Sequence, residues 1–460
     1  MAQTTRDLTE GPVWRGLAAL SAPMALGILA VLSTNLADAF FLARVGPDAL
    51  AAVGFVYPVT TAISSLSIGL SAGASAVIAQ ALGRREDSGA VTRRGLHALG
   101  LGVACAALAA LAFWLSAGPL LSALGAEGDV LGAALRYTPL WSAAFPFLVT
   151  MMLVNAVFRA HGSGAVSAGI MVGSAVVNLG TTPAFIFGWG PVPEMGIAGA
   201  AMGTLVAMVA GAALALLLAW RSGILSVCER PFANLGGNVR AIAEVGGPAA
   251  LSNAINPAGM ALVTAAVATL GASYVGGFGA ATRIQSVVTV PLLALSSGIG
   301  PVVGQNWGAD RAGRARAALR ICVWGSLCYG LVLGLVLTLF ADQVARAFGA
   351  GEESTAAAAA YLRVVGWSLG GFGVLVTGNA ALNGISRAGH SMALSLARVL
   401  AVYVPLAWLG VTVLGYPGVL AAAVAANAFG AWAVLVAARA TGLSEIGFGP
   451  VRWPARLVPG

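Results

Sequence analysis

Apolar residues along this chain come in long uninterrupted blocks, not in a strand-like alternation or a one-sided stripe. Blocks of span length occur at about 17–43, 48–79, 95–117, 130–158, 165–187, 195–220, 240–269, 275–305, 317–340, 356–383, 390–414 and 417–439. A helix needs roughly 20 apolar residues to cross the hydrocarbon core, so the pattern predicts twelve transmembrane helices. Several blocks exceed that length, which requires tilting, kinking or projection into water. Pro23, Pro58, Pro146, Pro183, Pro248, Pro257, Pro291, Pro301 and Pro405 fall inside blocks, where kinks are tolerated. The polar stretch at 221–239 is the longest connection between blocks and lies at the midpoint of the chain. It divides an N-terminal lobe at 17–220 from a C-terminal lobe at 240–439, flanked by tails at 1–16 and 440–460.

The two lobes repeat. A shift of 225 residues places Pro23 on Pro248, Leu26 on Leu251, Gly46 on Gly271 and Gly54 on Gly279. The same gapless shift pairs Ser71 with Ser296, Gly73 with Gly298, Gln80 with Gln305 and Gly83 with Gly308. A shift of 224 later pairs Tyr137 with Tyr361 and Asn155 with Asn379. Six spans per copy is an even number, so both copies enter the membrane in the same direction. The expected fold is therefore an all-α polytopic membrane protein of two six-helix lobes related by a pseudo-two-fold axis along the membrane normal, with a binding site near the repeat interface.

Charge sets the orientation. All 24 basic residues are arginine, which excludes chemistry that needs a P-loop or Schiff-base lysine. Four arginines lie in 83–94, three in 221–240 and four in 308–320, whereas the alternating loops at 118–129, 188–194, 270–274 and 341–355 hold only Arg346. The positive-inside rule then puts both termini in the cytoplasm, and the first 16 residues lack a signal-peptide pattern. With 59% hydrophobic and 9% charged residues, the net charge of +8 reports topology, not nucleic-acid binding. The four cysteines have no metal-ligand spacing, and His97, His161 and His390 fall at loops or near span ends, with no role expected of them.

Few polar groups interrupt the blocks. Asp38 is an acid inside the first span, and burying an ionised carboxylate there costs roughly 2.5–3.5 kcal/mol on insertion scales, so ion or proton handling is the expected return. Asn35 lies one turn earlier on the same face. Under the repeat register Asp38 falls opposite Val263, so the acid belongs to the N-terminal lobe alone. Asn178 and Thr182 share a face of the fifth span and either hold an ion beside Asp38 or bond a neighbouring helix. Asn155, Asn253, Asn256, Gln285 and Asn379, with Met171 and Met260, are candidates to line a substrate cavity or to pack helices. Arg363 and Arg398 are read as snorkelling from span ends. No H-E-x-x-H or paired-aspartate motif is present, and an intramembrane enzyme is not expected.

The segment LSAPMALGILAVLSTNLADAFFLARVGPDALAAVGFVYPV resembles the first helix and loop of multidrug and toxic compound extrusion (MATE) transporters. GLSAGASAVIAQALGRRED, FRAHGSGAVSAGIMVGSAVVN, MGIAGAAMGT, GFGAATRIQS, VVGQNWGADRAGRA and NAALNGISRAGH are similar to later stretches of that family, over roughly 17–440. The tone is closest to the bacterial DNA-damage-inducible-protein F branch. The resemblance implies two six-helix lobes forming a V, and export of cationic amphipathic drugs by antiport with protons, or with sodium as the alternative ion bound at Asp38. It makes Asp38 the coupling aspartate, with Asn178, Thr182 and the sixth-helix Thr204 beside it. Thr182 stands where family members often carry Asp or Asn, and Asn256 where a sodium-linked branch carries Glu. No cofactor is implied beyond the coupling ion. The expected setting is a monomer in the inner membrane of a bacterium. The alternative within the same superfamily is a lipid-linked oligosaccharide flippase, which would need extra spans and several cavity arginines.

Overall fold

The computed structural model describes residues 6–226, 228–348 and 351–445. Among them, secondary structure is helical throughout. The helices are α1 (Val13–Val45), α2 (Pro47–Gly83), α3 (Ser88–Ala123), α4 (Gly128–Ala160), α5 (Gly164–Phe187), α6 (Ile197–Arg221), α7 (Leu235–Ala268), α8 (Ala272–Val288), α9 (Val290–Gly308), α10 (Ala312–Phe348), α11 (Glu352–Val365), α12 (Leu369–Gly384), α13 (Ala388–Leu396), α14 (Val404–Leu414) and α15 (Tyr416–Ala440). Eleven stretches are long and apolar enough to cross a membrane, and α8 with α9 supplies a twelfth span bent by 46°. The bend falls at Thr289, where Pro291 removes a backbone donor from the next turn. The Thr289 hydroxyl donates to the Gln285 carbonyl at 2.8 Å, occupying an acceptor at the break.

Two compact units divide the chain. Among the described residues, one holds Ala22–Ala250 with residues 6–7, and the other holds Leu8–Ser21 with residues 251–445. Each long helix at a repeat start thus changes unit near its proline, α1 beside Pro23 and α7 close after Pro248. The first half of α7 packs in the N-terminal unit, where Gly73 of α2 leaves no room for a Cβ against the carbonyl of Ile242. In the C-terminal unit the start of α1, up to Ser21, packs the same way, with Gly298 of α9 against Ser21. Gly298 is Gly73 plus 225, so the sequence register recurs as a packing contact.

The N-terminal unit has one apolar core around Phe145, Leu153, Phe158, Ile170 and Ile242. A second core surrounds Leu42, Phe113, Leu121 and Ile186. The C-terminal unit mirrors this with Val263, Phe278 and Leu369 in one cluster, and Leu20, Ile299, Leu319 and Leu382 in another. Val263, the repeat partner of Asp38, is fully buried among apolar neighbours. Described residues of the connection between α6 and α7 are held against α3. Thr92 and Arg93 of α3 donate to the carbonyls of Ile224 and Glu229. His97 joins them, with Nε2 at 2.7 Å from the Pro231 carbonyl and Nδ1 at 3.0 Å from Asn238 Nδ2. That corrects the expectation that this histidine has no role: it fastens the linker to α3.

Candidate functional site

Asp38 lies seven residues before the end of α1, about 10 Å along the helix axis. Its side chain is half-buried, and Oδ1 is enclosed without a hydrogen bond. Thr182 of α5 and Tyr137 of α4 lie within electrostatic reach of it, all within the N-terminal unit. Thr182 interacts with the carboxylate, yet its Oγ1 also lacks a hydrogen bond of normal geometry. Unpartnered buried oxygens are expensive, and a cluster of them is a place where a proton, an ion or a water belongs.

The backbone explains how Thr182 reaches this position. Gly203 of α6 lies so close to α5 that a Cβ there would stand 2.5 Å from Thr182 Oγ1 and 2.6 Å from its Cα. One turn earlier, Gly199 leaves no space against the Phe185 carbonyl. Gly199 and Gly203 therefore act as a small-xxx-small face that draws α5 and α6 together. Thr181 then donates to the Gly203 carbonyl at 3.3 Å across the seam.

The other expected residues divide. Asn178 is buried one turn from Thr182 with Oδ1 unpartnered, which fits a place beside the acid. Asn35 is exposed, and the buried cluster forms without it. Thr204 donates back to its own helix, to the Ala200 carbonyl at 3.1 Å. Asn155 and Met171 are buried in the N-terminal unit, Asn155 with neither amide atom bonded. In the C-terminal unit Asn379 donates to Ser395 Oγ at 3.1 Å, and Gln285 accepts from the Tyr361 hydroxyl at 2.7 Å. Met260 packs at the edge of the apolar core, and Asn253 is half-buried nearby on α7. Asn256 accepts from Arg398 Nη1 at 3.2 Å.

Arg398 corrects the snorkelling assignment. It lies about ten residues into the span Ala388–Leu414, on a π-helical stretch at Ala397–Tyr403. Pro405, just beyond, cannot complete regular α bonding with the turn that holds Arg398, which accounts for the widened helix. An arginine this deep costs roughly as much as the aspartate in α1. The signal was in the sequence, as a basic residue well inside an apolar block. Arg363 instead pairs with Asp342 at 2.5 Å, both half-exposed.

Sequence reasoning also missed a cavity of about 370 Å³ in the N-terminal unit, lined by Val45, Asp48, Asp129, Arg136, Met195 and Ile197. It opens where α1 meets α2, at the Asp38 end of α1. Its acids come from the first turns of α2 and α4, which the sequence shows only as loop-proximal charges.

Comparison with known proteins agrees with this architecture. A profile of the MatE family matches residues 23–183 and 248–409. The matched segments begin 225 residues apart (248 − 23), at the two prolines of the repeat register. The chain is 33% identical to a FAD transporter of Shewanella oneidensis, over 90% of this chain and 92% of that one. It is 26% identical to a probable multidrug resistance protein NorM of Pseudomonas aeruginosa, over 85% of this chain and 81% of that one. The crystal structure of the Vibrio cholerae MATE transporter VcmN in its bent form superposes with a TM-score of 0.88 at 27% identity, covering 93% of this chain and 96% of that one. With a duplicated helical fold, a half-buried acid in the first span and matched segments covering most of the chain, this protein belongs to the MatE family, whose members are membrane transporters and not enzymes.

Proposed function

We propose that this protein is a secondary active exporter of small amphipathic compounds, driven by protons flowing inward through Asp38. The observation that carries the reading is the enclosed, unbonded Asp38 Oδ1 of a carboxylate that has Thr182 beside it. The other acids inside long helices are accounted for differently. Glu244 is exposed and Asp342 half-exposed, and they pair with Arg240 and Arg363 respectively.

With both termini cytoplasmic in a bacterial inner membrane, the Asp38 end of α1 faces outward. The cavity at Asp48 and Asp129 then gives an external proton a wet approach. Protonation removes the charge that holds a cationic substrate or an α1 conformation, and release toward the cytoplasm resets the acid. Coupling requires proton and substrate to favour different states, because a ligand with equal affinity for both shifts nothing. Sodium is the alternative ion, with Thr182 and Asn178 as neutral oxygen donors. The protein acts as a monomer, the two repeats supplying in one chain what a dimer would otherwise provide.

Cationic amphipathic drugs are the substrate class that suits an acid in the N-terminal unit. A second reading, export of a flavin dinucleotide, is favoured by the 33% identity to the Shewanella FAD transporter across nearly the whole chain. The deciding experiment measures uptake into everted vesicles with the proton and sodium gradients collapsed separately, using an ethidium-type cation and FAD in turn. Loss of uptake on dissipating the proton gradient alone supports the reading. Sodium-dependent uptake at fixed pH that ignores the proton gradient overturns it.

A further inference from the structure

Arg398 is built into the C-terminal unit as a fixed cation without a counter-ion. Its guanidinium donates from Nη1 to Asn256 Oδ1 at 3.2 Å and from Nη2 to Asn427 Oδ1 at 2.9 Å. Both partners are neutral. Among the described residues no carboxylate lies within ion-pairing distance of Arg398. A guanidinium has five N–H donors, so three remain after these two bonds, and the Nε group is enclosed with no partner.

The amides that hold it are themselves held. Asn427 Nδ2 donates to Ser368 Oγ at 2.8 Å, and Ser368 in turn to the Val365 carbonyl. Asn256 Nδ2 donates to the Ser252 carbonyl at 3.2 Å. Each amide thus turns its oxygen toward the arginine and its nitrogen away. Packing fixes the rest. Gly259 of α7 leaves no room for a Cβ beside Val399, and a Cβ at Gly430 of α15 would stand 3.2 Å from Arg398 Cδ. The Phe372 ring lies 5.7 Å from the guanidinium carbon, and Tyr361 and Tyr403 lie within its electrostatic reach. Tyr416, in the same apolar cluster as these tyrosines, has an enclosed hydroxyl with no partner.

We propose that Arg398, oriented by Asn256 and Asn427 and flanked by Phe372, is an anion-accepting subsite that takes the phosphate, sulfonate or carboxylate end of an aromatic compound. With Nε enclosed, the one remaining N–H on each of Nη1 and Nη2 is left to meet two oxygens of such a group, and a charge-assisted pair of this kind is strong and geometrically specific. A pure cross-brace between helices would need no unpaired charge, since a neutral amide at 398 could bond Asn256 and Asn427. The subsite deepens the export reading by widening the substrate class beyond cations, but it concerns binding and stands independently of coupling through Asp38.

The test is isothermal calorimetry on the full chain in zwitterionic lipid nanodiscs, with 2-naphthyl phosphate and its neutral counterpart 2-naphthol as probes. The native protein should bind the phosphate about tenfold or more tightly than 2-naphthol, a preference set by the charge-assisted pair. Arg398→Gln should abolish that preference, and Arg398→Lys should keep part of it. Asn427→Asp is near-isosteric and gives the guanidinium a permanent counter-ion, so the protein should fold and the preference should vanish. Asp38→Asn should leave it intact, which separates failure of this site from failure of the coupling reading. Equal binding of the two probes to the native protein overturns the proposal, as does a preference unchanged by Arg398→Gln or Asn427→Asp. Replacing the lipid with phosphatidylglycerol separates the sources of the anion. Retained binding supports a soluble substrate, and loss of binding assigns the guanidinium to a lipid headgroup and overturns the substrate reading.

Discussion

Gly203 and Thr182 touch backbone to backbone: a Cβ on Gly203 would lie 2.5 Å from the threonine hydroxyl oxygen, 2.6 Å from its Cα and 2.8 Å from its amide nitrogen. The group that faces Asp38 is thus positioned by a missing side chain on the neighbouring helix. Gly203→Ala should force α5 and α6 apart, costing about 1–3 kcal/mol as overpacking does. It should impair coupled export more than membrane insertion. Gly180→Ala on α5, where nothing lies within 4 Å, is the matched control and should be neutral or slightly stabilising. Apparent melting temperature in detergent and vesicle uptake, measured together, check both.

Asp38→Asn preserves shape and removes titration. The variant should reach the membrane at normal levels, while binding of cationic substrate weakens and gradient-driven uptake falls to background, because the amide mimics the protonated acid permanently. Counterflow exchange, which needs no gradient, should survive better than active uptake. Uptake against a gradient at the native rate would refute the role of Asp38.

His97→Ala should free the linker. It removes the bond to the Pro231 carbonyl and leaves Asn238 Nδ2 without its acceptor, a loss of about 1–3 kcal/mol if the amide stays buried. Hydrogen exchange of backbone amides in the 228–238 stretch should accelerate, while amides in α9 remain protected. Unchanged exchange there would show that Thr92 and Arg93 suffice.

Residues 8–12, directly before α1, are anchored in the C-terminal unit. Leu8 N–H donates to Gln305 Oε1 at 2.9 Å, and Asn306 Nδ2 donates to the Leu8 carbonyl at 3.0 Å. Arg314 Nε holds Asn306 Oδ1 at 2.9 Å. Asn306→Leu should strand the Leu8 carbonyl and the Arg314 Nε group, lowering the apparent melting temperature through a loss of about 1–3 kcal/mol. Arg316→Ala, which loses contacts only to Gly442 and the exposed Glu445, should cost less.

The sequence alone determined the helical class, the number of spans and the 225-residue repeat. Those features rest on block length and on local backbone demands at proline and glycine, which are written residue by residue. It also singled out Asp38, because one charge in an apolar block is conspicuous without any neighbour. Tertiary structure decided which polar residues share a site. Asn35 lies on the Asp38 side of an ideal helix yet is exposed, while Thr182, 144 positions later, comes to the acid because Gly199 and Gly203 let α6 press on α5. Arg398 was visible but misread, because its meaning depends on Asn256 and Asn427, brought from two other spans. His97 gained its role only when the linker folded back onto α3. Hydrophobicity is a property of each residue and sums along the chain. The partners of a buried charge are a property of how helices cross, and that is fixed only when the whole bundle packs.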